Sequence, residues 1–441
     1  MAFAAMPALP VLHGLKVLRP EEAKQVPSYP FLAPLLALVT ANRSSDLSDS
    51  WRPGTDAREW RGLKLDEQGN LVELMADACG IQEAPPAFFD LPHLEKLWLS
   101  NNGLRTVPEE IARLTSLDSL WLGSNLLRSL PGGIVGLSCL KKLWLPANML
   151  TRLPAEVCSM VSLEWLDVSE NKLEEVCPEI GHLTSLTRLD LHTNLLRELP
   201  PAIGNLTRVK HLSLHFNQLE TLPGEIGQCS GLVWISLNAN RLRELPAEVG
   251  NLTNMVRIAL HINELTSLPP EMGRLTNIEA LSIFKNKLRS FPPEIALGLA
   301  GGCTRLGLYE NELESVPPEL GAMTNLQELW LYSNKLTSVP PELGNLCELR
   351  RLWLDRNALT TVPKELSKLT RLQELYLDHN QLVELPEELG SMTQLRRLYL
   401  EDNPPELVLP PSVAALACLQ ESVDYGVSPE LAFKAEMQTY K

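Results

Sequence analysis

The chain has 441 residues, 34 of them Pro, and a formal net charge of −15. Such acidity argues against nucleic acid or an anionic membrane as the main partner, because both need a basic face. No run of 18 apolar residues is present, so no membrane-spanning helix is expected. The eight Cys form no CxxC pair and stand at unrelated repeat positions, which predicts reduced, semi-buried thiols rather than a disulfide framework.

In chain order, Met1 to Leu18 is mildly apolar but lacks a basic leading region and a clear cleavage site, so a secretory signal is not expected. Phe31 to Thr40 predicts a short capping helix, and the alternation around Asp66-Glu67-Gln68-Gly69 predicts a β-hairpin. Residues 1–70 are therefore read as an N-terminal segment and cap.

From Leu71 the sequence repeats. Leu94, Leu97, Leu99, Asn102, Leu104, Val107-Pro108, Ile111 and Leu114 return 23 residues later as Leu117, Leu120, Leu122, Asn125, Leu127, Leu130-Pro131, Ile134 and Leu137. The marker Asn recurs at 102, 125, 148, 171, 194, 217, 240, 263 and 286. After a two-residue slip it continues at 311, 334, 357, 380 and 403. A degenerate first copy carries Cys79 at the Asn position. Residues 71–418 thus read as about fifteen repeats of 23 residues, followed by a C-terminal cap and tail at 419–441. The slip at 295–303 falls on the return path and reads as a tolerated surface insertion, with a hinge or docking bump as the alternative.

The phrase Leu-x-x-Leu-x-Leu predicts a strand whose Leu side chains point inward while the residues between them point outward. Each Asn is expected to pair its amide with backbone groups of adjacent turns. Pro-Pro-Glu-Ile-Gly reads as the start of a short helix, where Pro and an acid are both favoured. Glu179, Glu225, Glu248, Glu271, Glu294, Glu319 and Glu342 take this position, which explains much of the acidity structurally. The fold class is an α/β repeat solenoid: a curved array with a parallel sheet on the concave face and short helices or turns on the convex face.

This pattern resembles the leucine-rich-repeat superfamily. The 23-residue unit with Leu-Pro-x-x-Ile/Leu-Gly-x-Leu-Thr is similar to the intracellular Ras-group proteins, which the resemblance implies are signalling scaffolds. The stretch Trp60-Arg61-Gly62-Leu63…Asp66…Gly69…Val72-Glu73-Leu74 resembles the N-terminal cap of plant-type extracellular repeat proteins. Those caps usually carry paired Cys; here no Cys precedes Cys79. A cytoplasmic location follows as an expectation, and the sequons at Asn205 and Asn251 read as repeat residues.

Function is expected on the concave face. One outward column reads Trp98, Trp121, Trp144, Asp167, Asp190 and later Trp330, Trp353, Tyr376, Tyr399; a second reads His192, His215, His261, Phe284, Tyr309, Tyr332; a third includes Trp165 and Trp234. Trp and Tyr are the residues most often found as interface hot spots. The competing reading is that the rings stack and stabilise neighbouring strands. Two aromatic banks about seven repeats apart would suit a folded protein rather than a small ligand. The histidines add that affinity should change between about pH 5.5 and 7.5 where a partner buries any of them. A metal site is not expected from the His and Asp group, which reads as polar surface.

No catalytic constellation is found. GxxxxGK[ST], GxGxxG, HExxH and GxSxG are absent. Asp190, His192 and Ser213 on adjacent strands lack an evident oxyanion hole. The expectation is a monomeric, cofactor-free, non-enzymatic scaffold that binds a protein, with a small GTPase or a kinase/phosphatase complex implied by resemblance alone. The alternatives are a ligand-recognition ectodomain of immune or surface-receptor type and a self-assembling cytoskeletal protein.

Overall fold

A computed structural model describes residues 30–42, 46–47, 51 and 60–416. Met1–Leu18, Cys418 and the tail read at 419–441 lie outside the described residues. The described residues form two compact units, one up to Met149 and one from Leu150 on. Both are built as an α/β repeat solenoid, in which each repeat supplies one short strand and one short helical turn.

In the first unit, helix α1 spans Leu32–Ala41. The buried Asn42 that follows it accepts from the amides of Gln82 and Glu83 at 2.6 and 3.0 Å and donates to the Glu83 carbonyl at 2.7 Å. Strands β1 (Leu63–Leu65) and β2 (Leu71–Met75) form an antiparallel hairpin. Its turn is held by Asp66, whose carboxylate accepts from the amides of Gln68 and Asn70, with Gly69 in the left-handed region at φ 83°. Strands β3 (Lys96–Trp98), β4 (Ser119–Trp121) and β5 (Lys142–Trp144) follow in parallel at a constant offset, aligning Leu74, Leu97, Leu120 and Leu143.

The second unit carries eleven parallel strands: β6 (Trp165–Asp167), β7 (Arg188–Asp190), β8 (His211–Ser213), β9 (Trp234–Ser236), β10 (Arg257–Ala259), β11 (Ala280–Ser282), β12 (Arg305–Gly307), β13 (Glu328–Trp330), β14 (Arg351–Trp353), β15 (Glu374–Tyr376) and β16 (Arg397–Tyr399). The middle residue of each strand points inward. Leu166, Leu189, Leu306, Leu329 and Leu352 have no exposed surface. Burying each such side chain contributes about 1.5–3 kcal/mol. Stacked in parallel, these three-residue strands, each too short to stand alone, bury that stripe against their neighbours.

Opposite the sheet, a proline precedes nearly every helical turn. Among the described residues, the position before the turn is Pro at 85, 108, 131, 154, 200, 223, 246, 269, 292, 317, 340, 363, 386 and 410; the exception is Cys177. Most turns are 3-10. Three are α-helical: α2 (Ala155–Cys158), α3 (Pro293–Leu299) and α4 (Pro411–Ala414). Helix α3 absorbs the 295–303 insertion, and β11 and β12 still pair in register, Leu281 opposite Leu306. Turns of adjacent repeats approach closely: a Cβ added to Gly250 would meet the Glu271 carbonyl at 2.3 Å. That contact is why Gly181, Gly204, Gly227 and Gly250 recur in this column.

The marker Asn side chains close each repeat. Asn194 donates to the carbonyls of Val168, Leu191 and His192 at 3.0, 3.0 and 3.3 Å, while its Oδ1 accepts from the Leu173 amide at 2.9 Å. In the first unit Asn125 repeats the set on Leu99, Leu122, Gly123 and Leu104. Each amide thus ties its own turn to the preceding repeat. The residue before each marker is left-handed, at φ 51–58° from Ala78 through Asp402. Replacing Asn194 with Ala leaves these buried backbone groups unpaired and is expected to cost on the order of 1–3 kcal/mol. The urea midpoint should fall accordingly; an unchanged midpoint would refute the ladder.

Candidate functional site

Residues flanking each inward Leu project from the sheet face, in columns fixed by the parallel register. In the first unit Trp98 and Trp121 stack with centroids 4.4 Å apart and planes 5° apart, and Trp144 stands opposite Trp121 in register. All three are partly exposed. Met75, at the head of the column, is 52 % exposed.

In the second unit the first strands carry acids. Asp190 is 2 % exposed and accepts from Arg188 Nε at 2.6 Å and Trp165 Nε1 at 3.2 Å. The Arg188 guanidinium also lies 4.9 Å over the Trp165 ring, a cation–π contact. Asp167 is buried and held by the amide and hydroxyl of Ser169. Burial, with Asp190 beside it, pushes its carboxyl up to about 6. These acids are satisfied within the protein.

The central strands have a floor of small buried residues: Ser213, Ser236, Ala259 and Ser282. Above it His192 and His215 stack at 4.3 Å, and Trp234 lies 6.0 Å from His211. His215 meets Phe216 edge-on at 5.5 Å. Phe216 is 56 % exposed and Ile262, two repeats on, 45 %. Both occupy the left-handed position before the marker Asn, at φ 53° and 58°. A β-branched residue there is strained. These two residues were missed by reasoning on columns of large aromatics. The signal that finds them is a large apolar residue where this column otherwise holds small, polar or charged residues.

The later strands carry two ring ladders. His261, Phe284, Tyr309 and Tyr332 stack at 4.4, 4.3 and 4.3 Å. Trp330, Trp353, Tyr376 and Tyr399 stack at 5.1, 5.4 and 4.6 Å. Phe284, Tyr309, Trp330, Tyr332 and Trp353 form one buried cluster, with Tyr376 packed against it. The rings cover one another, so this ladder stabilises neighbouring strands. Trp165, His192, His215, Trp234, His261, Tyr376 and Tyr399 remain partly accessible. Burial pushes His261 down to about 4, so it stays neutral throughout the window read from sequence for the histidines. Among the described residues no group of three or more His, Cys, Asp or Glu is placed to hold a metal ion, and no helix is long and apolar enough to cross a membrane.

Beside the ladder, Asp355 Oδ1 and Trp353 Nε1 are buried without a hydrogen-bond partner. Burial, then the neighbouring Asp378, pushes the Asp355 carboxyl up to about 7 from its usual 3.8. Between those values the folded chain keeps a proton that the unfolded chain has lost. The stability this group contributes is therefore full below about pH 4 and is lost as pH rises through 7. Asp355→Asn should unfold at higher urea than the parent at about pH 8, with the difference shrinking towards about pH 4. A gap of equal size at both pH values would refute the buried-acid account.

The repeat geometry agrees with comparisons to known proteins. Residues 87–200, 200–299 and 304–408 match the family model described as a leucine-rich repeat region. A leucine-rich-repeat protein of Leptospira interrogans is similar at 33 % identity and a TM-score of 0.66, over 77 % of this chain and 91 % of that one. The plant peptide hormone receptor RGFR1, solved in complex with RGF2, is similar at 27 % identity and a TM-score of 0.65, over 81 % of this chain and 66 % of that one. The functional domain of InlJ from Listeria monocytogenes, at 20 % identity and a TM-score of 0.66, covers 87 % of this chain and 78 % of its own and shares the fold. No curated protein matches the sequence. The matched residues span most of the chain, and it belongs to the leucine-rich-repeat family.

Proposed function

We propose that this chain is a protein-binding scaffold and that a folded partner docks on the sheet face of the second unit, over the strands from Arg188 to Ala259. The observation that carries this reading is the exposure of Phe216 and Ile262 in left-handed positions beside a floor of small side chains. Apolar residues held in a strained conformation and left in water cost stability, and a partner that covers them recovers the apolar burial. A folded protein suits an open strip several strands wide; a small ligand needs a concave pocket. His192, His215 and Trp234 supply polar and aromatic contacts around the two anchors.

The finer reading is a cytoplasmic signalling scaffold that engages a small GTPase or a kinase/phosphatase complex. It rests on the likeness of the 23-residue unit to the intracellular Ras-group proteins. A second reading, a ligand-recognition ectodomain, is supported by the 27 % identity to a plant peptide hormone receptor. Occupied sequons at Asn205 and Asn251 in the native protein would favour the second reading, and unmodified asparagines the first.

The test is affinity purification with mass spectrometry, followed by binding measurements on the partner found. Phe216→Ala and Ile262→Ala change exposed side chains and should leave the fold intact. Each should weaken binding by about 2 kcal/mol or more, near thirtyfold. Glu248→Ala, at an exposed position of the turn Ala247–Asn251 away from the sheet, should bind like the parent. Full binding by both apolar variants alongside failure of Glu248→Ala would move the site off the sheet face.

A further inference from the structure

The sequence places the cysteines at unrelated repeat positions; the fold brings two of them together. Cys158 Sγ and Cys177 Sγ lie 2.6 Å apart. That is about 0.6 Å beyond a disulfide bond length of roughly 2.05 Å. Cys158 stands in the column that holds Gly181, Gly204, Gly227 and Gly250 in the following repeats, where turns of adjacent repeats touch. At Gly181, one repeat on, an added Cβ would meet the Ala202 carbonyl at 2.7 Å. The repeat bearing Cys158 makes its turn α-helical, Ala155–Cys158, where the next is 3-10. Cys177 is the residue that replaces proline before the turn of that next repeat. Two departures from the repeat pattern, in neighbouring repeats, therefore face each other.

The other described thiols are placed differently. Cys229 and Cys303 are buried and donate to the carbonyls of Ile203 and Arg305 at 3.2 Å each. Cys139 and Cys347 are exposed, and Cys79 is half-buried beside Asp77. Cys158 is fully buried, whereas Cys177 is half-buried beneath a surface recess lined by Arg152, Pro154, Glu156 and Glu175. Cys177 is therefore the more accessible thiol of the two.

We propose that Cys158 and Cys177 form a redox modification site, which a hydroperoxide closes into one reversible intrachain disulfide. The Cys177 thiolate attacks the terminal oxygen of the hydroperoxide, the O–O bond breaks, and an alcohol or water leaves. Cys177 becomes a sulfenic acid. The Cys158 sulfur then attacks the Cys177 sulfur, the S–O bond breaks, and the hydroxyl leaves as water with the thiol proton. Two thiols and one hydroperoxide give one disulfide, one alcohol and one water; a dithiol reductant reverses the bridge. The contact between the two thiols holds Cys177 below its ordinary value and pushes Cys158 up, which suits the order of attack. The loop so closed carries β6, with Trp165 and Asp167.

The experiment uses the full chain, reduced and then titrated with hydrogen peroxide. Thiols are quenched by alkylation in denaturant, and the peptides are mapped by mass spectrometry. The expected product joins the peptides of Cys158 and Cys177, lighter by two hydrogens, and dithiothreitol separates them. Amides between 158 and 177 should exchange more slowly in the oxidised protein. In Cys158→Ser the cross-link is lost and Cys177 proceeds to sulfinic acid. In Cys177→Ser the buried Cys158 remains alkylatable after denaturation. The proposal is overturned if both thiols survive peroxide that oxidises Cys139 and Cys347, or if Cys177 of the parent reaches sulfinic acid without a bridge. Both readouts on the parent protein stand even where a variant folds poorly.

Discussion

One amide per repeat carries the architecture. A strand that ends inside an apolar coil must turn away without leaving its peptide groups unpaired, because each buried orphan costs about 1–3 kcal/mol. The marker Asn answers this with two donor contacts to its own turn and with one donor and one acceptor contact to the preceding repeat, as Asn194 does. The apolar stripe supplies the driving force for stacking, but it is non-directional. The amide sets the pitch, and so it fixes the register that makes every outward position a column.

The same turn creates the surface on which a partner can act. Pairing the Asn amide bends the backbone, and the preceding residue goes left-handed with its side chain outward. Most repeats place Ala, Ser, Thr or a charged residue there. Phe216 and Ile262 are exceptions that the fold does not require. The device that holds the solenoid together thus also presents its apolar anchors.

How much of this was legible from sequence follows from what periodicity encodes. The strands, the marker ladder and the Pro-capped turns recur at one spacing, and spacing is visible in a chain. Columns of Trp and Tyr were visible too, but their exposure was not. Whether Trp353 is a hot spot or a strut depends on whether Trp330 and Tyr376 cover its faces, which is a property of ring orientation at a 5 Å repeat. The Cys158–Cys177 pair was hidden for a related reason. The two residues are 19 apart, out of phase with the 23-residue unit, so neither shares a column with the other. Only the close packing of one repeat's turn against the next turns those phases into neighbours.

The charge of the molecule takes its meaning from the same geometry. Glu179, Glu225, Glu248, Glu271, Glu294, Glu319 and Glu342 lie in the first turns of the helical segments, away from the sheet. An acid is favoured in the first turn of a helical segment. On the sheet face several acids are paired, as Asp190 is with Arg188, or pushed towards the neutral form, as Asp167 and Asp355 are. Glu328 and Glu374 are likewise engaged by Arg351 and Arg397. Part of the net charge of −15 therefore lies away from the proposed docking face. The docking proposed for the second unit's sheet uses apolar anchors and stacked imidazoles, so its affinity should depend weakly on salt, because screening acts on exposed charges and leaves apolar burial in place.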